Sequence, residues 1–192
     1  MNLIIREYKS TDEVGWVRCR VLSFLDTAYF DNVLQGKEKY ENPAIELVAV
    51  ENGQVLGLLD IEYEIEERTI CSRGSGLGGM LWHIAVHPDF RREGIGAQLL
   101  REAEQIAKIK NLNRLEAWTR NDKWVQNWYE KFGFRRVDSY LHVYLEGNEE
   151  LQSNIPDLIP MHTFAHYVGK NHQMIKGKFS RVHECVCYEK TL

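Results

Sequence analysis

Proline is scarce, with 4 among 192 residues, and no tract is dominated by a single residue type. Collagen-like, proline-rich and low-complexity architectures are thereby excluded, and no internal repeat points to a solenoid. Cysteine is also sparse. Cys19, Cys71, Cys185 and Cys187 include no Cys-x-x-Cys pair, and Cys185 and Cys187 fall on one face of a predicted strand, so reduced thiols are expected. No apolar run near Met1-Asn2-Leu3-Ile4-Ile5-Arg6 reaches the length of a signal peptide or membrane span, so a cytoplasmic protein without a membrane partner is expected. Nor is there an excess of base. Lys and Arg number 24 against 28 Asp and Glu, a net charge of −4, which argues against nucleic acid as a partner. What remains is an ordinary globular composition, 44% hydrophobic and 27% charged. Its length suits one domain over residues 1–192, burying roughly 70% of the unfolded surface.

Periodicity gives the element order. Residues 3–8 read as a strand. Ser10-Thr11-Asp12 then supplies N-cap candidates for a helix with Val14, Val17, Val21 and Leu22, and a second helix is expected over 24–34. Asn52-Gly53 between two apolar runs predicts a tight hairpin. Its second arm alternates Leu59, Ile61, Tyr63 and Ile65 with Asp60, Glu62, Glu64 and Glu66, which predicts a half-exposed strand with a solvated acidic face or, less often, a surface for a cationic acceptor. After a glycine-rich linker over 72–79, residues 80–86 read as a buried strand. A helix from Gly94 follows, with Ile95, Leu99, Ala103, Ile106 and Ala107 as its apolar stripe. A strand at 114–119, a helix at 122–132 and a long strand at 134–145, irregular near Asp138, come next. Residues 146–178, with Pro156 and Pro160, read as an insertion of loop and short helical pieces before a last strand at 180–190. The whole is a mixed α/β sheet.

The most informative stretch runs from Val86 to Ala97. Gly94 and Gly96 at a helix start leave backbone N–H groups free to meet a pyrophosphate, and Arg91 and Arg92 add positive charge. A bare turn before a helix would use the same glycines. The chain has no Gly-x-x-x-x-Gly-Lys-Ser/Thr loop, and Leu99 stands where a dinucleotide site places its third glycine. Arg91-x-x-Gly94-x-Gly96, preceded by Ile84-Ala85-Val86-His87-Pro88, resembles the acetyl-CoA signature of the GNAT superfamily. Asp122 followed by Trp128-Tyr129-Glu130-Lys131-Phe132-Gly133-Phe134 resembles that family's second signature, in the right order.

The resemblance implies a mixed, mostly antiparallel seven-stranded sheet, splayed into a V between two central parallel strands, with about four flanking helices. It implies acetyl-CoA as acyl donor, without a metal. Backbone groups of Ile84, Ala85 and Val86 would bond the pantetheine. Those of Arg91, Arg92, Glu93, Gly94, Ile95, Gly96 and Ala97 would hold the pyrophosphate, with Asp122 and Tyr129 nearby. Tyr129 matches the tyrosine that protonates the leaving thiolate, although it also falls on a core stripe with Val125 and Phe132. Met80, Trp82 and Ile84 occupy the strand face where relatives often carry a base, and none takes a proton. His83 is the nearest titratable side chain, set by strand alternation on the opposite face, and a water chain would dispense with it. Trp82, Trp16, Tyr29 and Phe30 would line an acceptor pocket or simply pack the core. His162, His166 and His172 lack a completing ligand, so no metal is expected. The 146–178 segment is expected over the acceptor side or at a homodimer interface. The implied activity is transfer of an acetyl group to a primary amine of a small molecule or peptide, by direct attack in a ternary complex. The alternative is an acyl-CoA-binding sensor.

Overall fold

Asn52 and Gly53 both adopt positive φ, 50° and 79°, the conformation a primed two-residue turn requires. They join β2 (Ala44–Glu51) to β3 (Gln54–Tyr63). This computed structural model describes residues 2–146, 155–158 and 160–192. Before the hairpin come β1 (Ile4–Glu7) and α1 (Glu13–Phe24). After it come β4 (Gly78–Val86), α2 (Ile95–Ile109), β5 (Arg114–Thr119), α3 (Lys123–Lys131), β6 (Arg135–Glu146), β7 (His162–Tyr167), α4 (His172–Lys178) and β8 (Arg181–Thr191). The described strands form one eight-stranded sheet in the order β1-β2-β3-β4-β5-β8-β6-β7.

Among the described strands only β4 and β5 run parallel to each other, and they pair over three positions, Gly78 with Arg114 through Met80 with Glu116. Beyond that they diverge, each still bonded along its outer edge, β4 to β3 and β5 to β8. The facing edges of residues 81–86 and 117–119 therefore bound an opening in the middle of the sheet. α2 and α3 cover one side, where Ile95, Leu99, Ala103, Leu115 and Tyr188 form the main core. α1 covers the other, with Trp16 and Cys19 against Val48, Leu58 and Ala85.

Several expectations need correction. The buried positions of α1 are Trp16, Cys19, Arg20 and Ser23, whereas Val14 and Leu22 are exposed. No second helix spans 24–34. Residues 25–31 are turns, because bonds such as Thr27 N–H to Phe24 and Phe30 N–H to Thr27 close over three residues and the Asp122 carboxylate takes the Ala28 N–H. β3 ends at Tyr63, and of the acidic row only Glu66, beyond it, is solvated. Asp60, Glu62 and Glu64 are buried because each finds donors. Lys37 and the Tyr40 hydroxyl reach Asp60, each at 3.0 Å. Asn42 and Trp82 Nε1 donate to Glu62. The N–H groups of Cys71 and Gly78 serve Glu64 and so anchor the glycine-rich linker.

The sheet has an eighth strand because part of the 146–178 segment, β7, pairs with β6 from Leu141–Tyr167 to Glu146–His162. The run His-Thr-Phe-Ala-His-Tyr has the β-branched and aromatic content of a strand, and spacing the histidines as on a helix obscured it. His172 opens α4 instead, capped by the Asn171 side chain accepting from Met174 N–H. The irregularity near Asp138 is a register shift between Arg136 and Asp138 against β8.

Candidate active site

The opening between β4 and β5 leads into a cleft of about 920 Å³. One end is the segment between β4 and α2. Gly94 takes φ 84° and Arg92 φ 67°. No backbone N–H from residue 92 to residue 97 donates to a protein acceptor among the described residues. A Cβ at Gly94 would meet only Gln98 Nε2, at 4.0 Å, so its glycine is demanded by backbone conformation rather than crowding. Unclaimed donors at the N-terminus of a fifteen-residue helix suit a pyrophosphate-bearing ligand. The Arg91 side chain is otherwise engaged. It donates to Asp26 at 3.0 Å and to the Ser23 carbonyl at 2.9 Å, tying the end of α1 to this loop.

At the other end a β-bulge decides which side chains reach the cleft. Asp60 pairs with His83 and Ile61 with Leu81, which leaves Trp82 as the extra residue. The bulge resets the alternation. His83 meets Trp16 on the α1 side, with ring centroids 5.3 Å apart, while Leu81, Ile84 and Val86 pack with the α2 core. His83 is buried, and its Nε2 lies 2.5 Å from the carboxylate of Glu38, whose side chain is 45% exposed. Arg20 Nε donates to His83 Nδ1 at 3.4 Å and is itself fixed by the Asn32 carbonyl and side chain. With Nδ1 receiving that hydrogen, Nε2 carries the one given to Glu38. The His83 hydrogen bond holds the Glu38 carboxyl below its ordinary range.

Tyr129 lines the middle of the cleft from α3. It stacks on Tyr188 at 5.5 Å, and burial pushes its phenol upward, so it stays protonated. Phe24, Tyr29, Trp118, Tyr140, His142 and Cys185 complete the wall. Burial drives the Cys185 thiol up to about 11, so it is not a ready nucleophile.

Of the residues singled out by sequence, Ile84, Ala85, Val86, Arg91, Arg92, Gly94, Ile95, Gly96, Ala97, Asp122, Tyr129, His83, Tyr29 and Trp82 all line this one cleft. Four details differ. Glu93 is exposed and does not line it. The Val86 carbonyl already accepts from the Ser23 hydroxyl at 2.8 Å. Phe30 stands outside, half-exposed beneath the Arg181 guanidinium at 4.8 Å, because the turns at 25–31 carry it outward. Trp16 is fully buried core. Glu38, Arg20, Tyr140 and His142 went unrecognised in the sequence. Glu38 sits in an aperiodic loop with no local signal, whereas the alternating aromatics Tyr140, His142 and Tyr144 of β6 offered one.

Residues 43–136 match a family model described as an acetyltransferase (GNAT) domain. The chain belongs to the GNAT superfamily. Solved GNAT structures share its fold. An acetyltransferase of the family from Streptococcus pneumoniae aligns over 100% of both chains at TM-score 0.62 and 19% identity. A GNAT acetyltransferase from Elizabethkingia anophelis with acetyl-CoA bound aligns over 100% of this chain and 99% of its own, at TM-score 0.57 and 19% identity. The ribosomal-protein-alanine N-acetyltransferase of Brucella melitensis aligns over 98% and 99%, at TM-score 0.61 and 16% identity. No curated protein matches the sequence significantly. Among the described residues of this GNAT chain no group of three or more His, Cys, Asp or Glu is placed to hold a metal, and no helix is long and apolar enough to cross a membrane.

Proposed function

We propose that the protein transfers an acetyl group from acetyl-CoA to a primary amine of a small molecule or peptide by direct attack in a ternary complex. One observation carries the reading: the splay between β4 and β5 joins the phosphate-binding loop, Tyr129 and the Glu38–His83 pair in a single cleft. Bound acetyl-CoA supplies an activated thioester acetyl group. Backbone N–H groups of 92–97 hold its pyrophosphate, and the open edge of β4 at Ile84 and Ala85 faces the pantetheine arm.

The amine must shed a proton before it attacks. Glu38 is the acceptor for that proton, being charged, partly exposed and aimed by His83, and it passes the proton to solvent. His83 thus positions Glu38 rather than acting as the base itself. As the carbon–nitrogen bond forms and the carbon–sulphur bond breaks, the Tyr129 phenol gives its hydrogen to the departing sulphur and recovers it from the proton that the acylated nitrogen releases on becoming an amide. The Glu38–His83 pair removes the main motive for the sensor reading, which was the missing base on β4. A CoA-release assay against pooled amines tests the proposal. Amine-dependent CoA release is expected, and tight acetyl-CoA binding without release across all amines would favour the sensor.

A further inference from the structure

Behind the cleft wall lies a buried guanidinium that the acetyl-transfer chemistry does not use. Arg120 Nε donates to His142 Nδ1 at 3.0 Å, and the Arg120 guanidinium stacks over the Tyr29 ring at 4.2 Å. Because His142 receives a hydrogen on Nδ1, its own sits on Nε2 and goes to the Tyr140 hydroxyl oxygen, 3.0 Å away. Burial, reinforced by the Arg120 charge, pushes His142 down to about 3, so the ring is a neutral relay. The Tyr29 oxygen is approached in turn by the Arg120 backbone N–H. Both phenol oxygens are therefore served from behind by the protein, and both phenol hydrogens are left to donate forward.

What they face is poor. Tyr29 and Tyr140 both lie against the Cys185 thiol on the cleft wall, and sulphur is a weak acceptor. The positive charge behind them is incompletely compensated. Asp31, the carboxylate paired with Arg120, stands 3.6 Å away and makes its closer bond, at 2.6 Å, to Arg181. Two converging O–H donors backed by a buried cation suit an anionic oxygen. Phe24 and Trp118 beside them offer aromatic surface for a side chain.

We propose that Tyr29 and Tyr140 form a paired donor clamp, organised by Arg120 and His142, that holds a carboxylate oxygen of the amine acceptor. The acceptor class is then amino-carboxylates. Tyr140 is a specificity-determining residue, and Arg120 and His142 are positioning residues that act through the phenols. The inference rests on the acetyl-transfer reading above, and its test separates the two.

Matched sets differing only at the carboxyl group serve as probes: phenylalanine, phenylalaninamide and phenethylamine, with the leucine and methionine counterparts. In the wild type, kcat/KM should favour the carboxylate over the decarboxylated amine in at least one set. Tyr140→Phe and Tyr29→Phe should each reduce that preference roughly 10- to 100-fold, the worth of a hydrogen bond to a charged group. The change should fall mainly in acceptor KM rather than kcat, which a general structural defect would not produce. A wild type without carboxylate preference in any set overturns the clamp. So does a Tyr140→Phe variant that weakens all three members of a set in parallel. Saturation-transfer NMR of the same probes with the CoA-loaded protein needs no turnover. Carboxylate-selective binding that Tyr140→Phe abolishes, with no CoA release from any amine, would retain the clamp and refute acetyl transfer.

Discussion

Replacing Glu38 by Gln changes one charge and almost no shape. The amide oxygen can still accept the hydrogen on His83 Nε2, now 2.5 Å from the carboxylate, so the Arg20–His83 arrangement behind it should persist. What disappears is the proton acceptor. A positioned general base is worth about 10²- to 10⁴-fold, and since Glu38 is 45% exposed, water can partly replace it. The expected loss in kcat is therefore on the order of 10²-fold, near the low end of that range. The acetyl-CoA dissociation constant should not change, because the 92–97 donors belong to the other end of the cleft. Raising the pH should restore much of the variant's rate, as a growing share of the amine arrives already neutral, and the wild type should gain less. The assay is CoA release from pH 6 to pH 9 for both proteins, with calorimetry for acetyl-CoA. Equal kcat values at pH 7 would refute the assignment of Glu38 and return the proton to water.

Tyr129→Phe should lower kcat by about 10²-fold with acetyl-CoA affinity nearly unchanged, since the ring still stacks on Tyr188; unaltered turnover per folded molecule would make the residue purely core. Gly94→Val forces a β-branched side chain to φ 84°. The strain of about 1–2 kcal/mol should distort the phosphate loop and weaken acetyl-CoA roughly tenfold by calorimetry. His142, depressed by burial to about 3, gives a pH-dependent stability. Between that value and its ordinary range near 6.5 the unfolded chain binds a proton that the folded chain refuses, so stability falls as pH falls through the window. By pH 5 the loss should reach about 2 kcal/mol, and urea melts of His142→Gln should lack that part of the slope.

The cofactor end of the site was legible because it is written locally. Gly94, Gly96 and the helix after them act through backbone conformation, which neighbouring residues announce. The acceptor end is assembled from distant segments. Glu38 comes from a loop without periodicity, His83 reaches it only through the bulge at Trp82, and Arg120 meets His142 across two strands. Alternation along β3 correctly separated its two faces, yet it could not reveal that Lys37, Tyr40 and Asn42 would fold over the acidic one. β7 was hidden for a different reason. Its aromatic and β-branched content suits a strand, but His162 and His166 stand four apart as on a helix face, and nothing local names β6 as the partner.

The three-residue ladder between β4 and β5 also has a mechanical meaning. A sheet whose halves share so short a seam is joined there mainly by the core packed beneath it, with Glu38 and His83 on one side of the gap and Tyr140 and Cys185 on the other. Ligands seated in the gap add contacts between the two unpaired edges. Amide exchange along residues 81–86 and 117–119 would slow when acetyl-CoA fills the seam, while the outer ladders of β2 and β6 would scarcely respond.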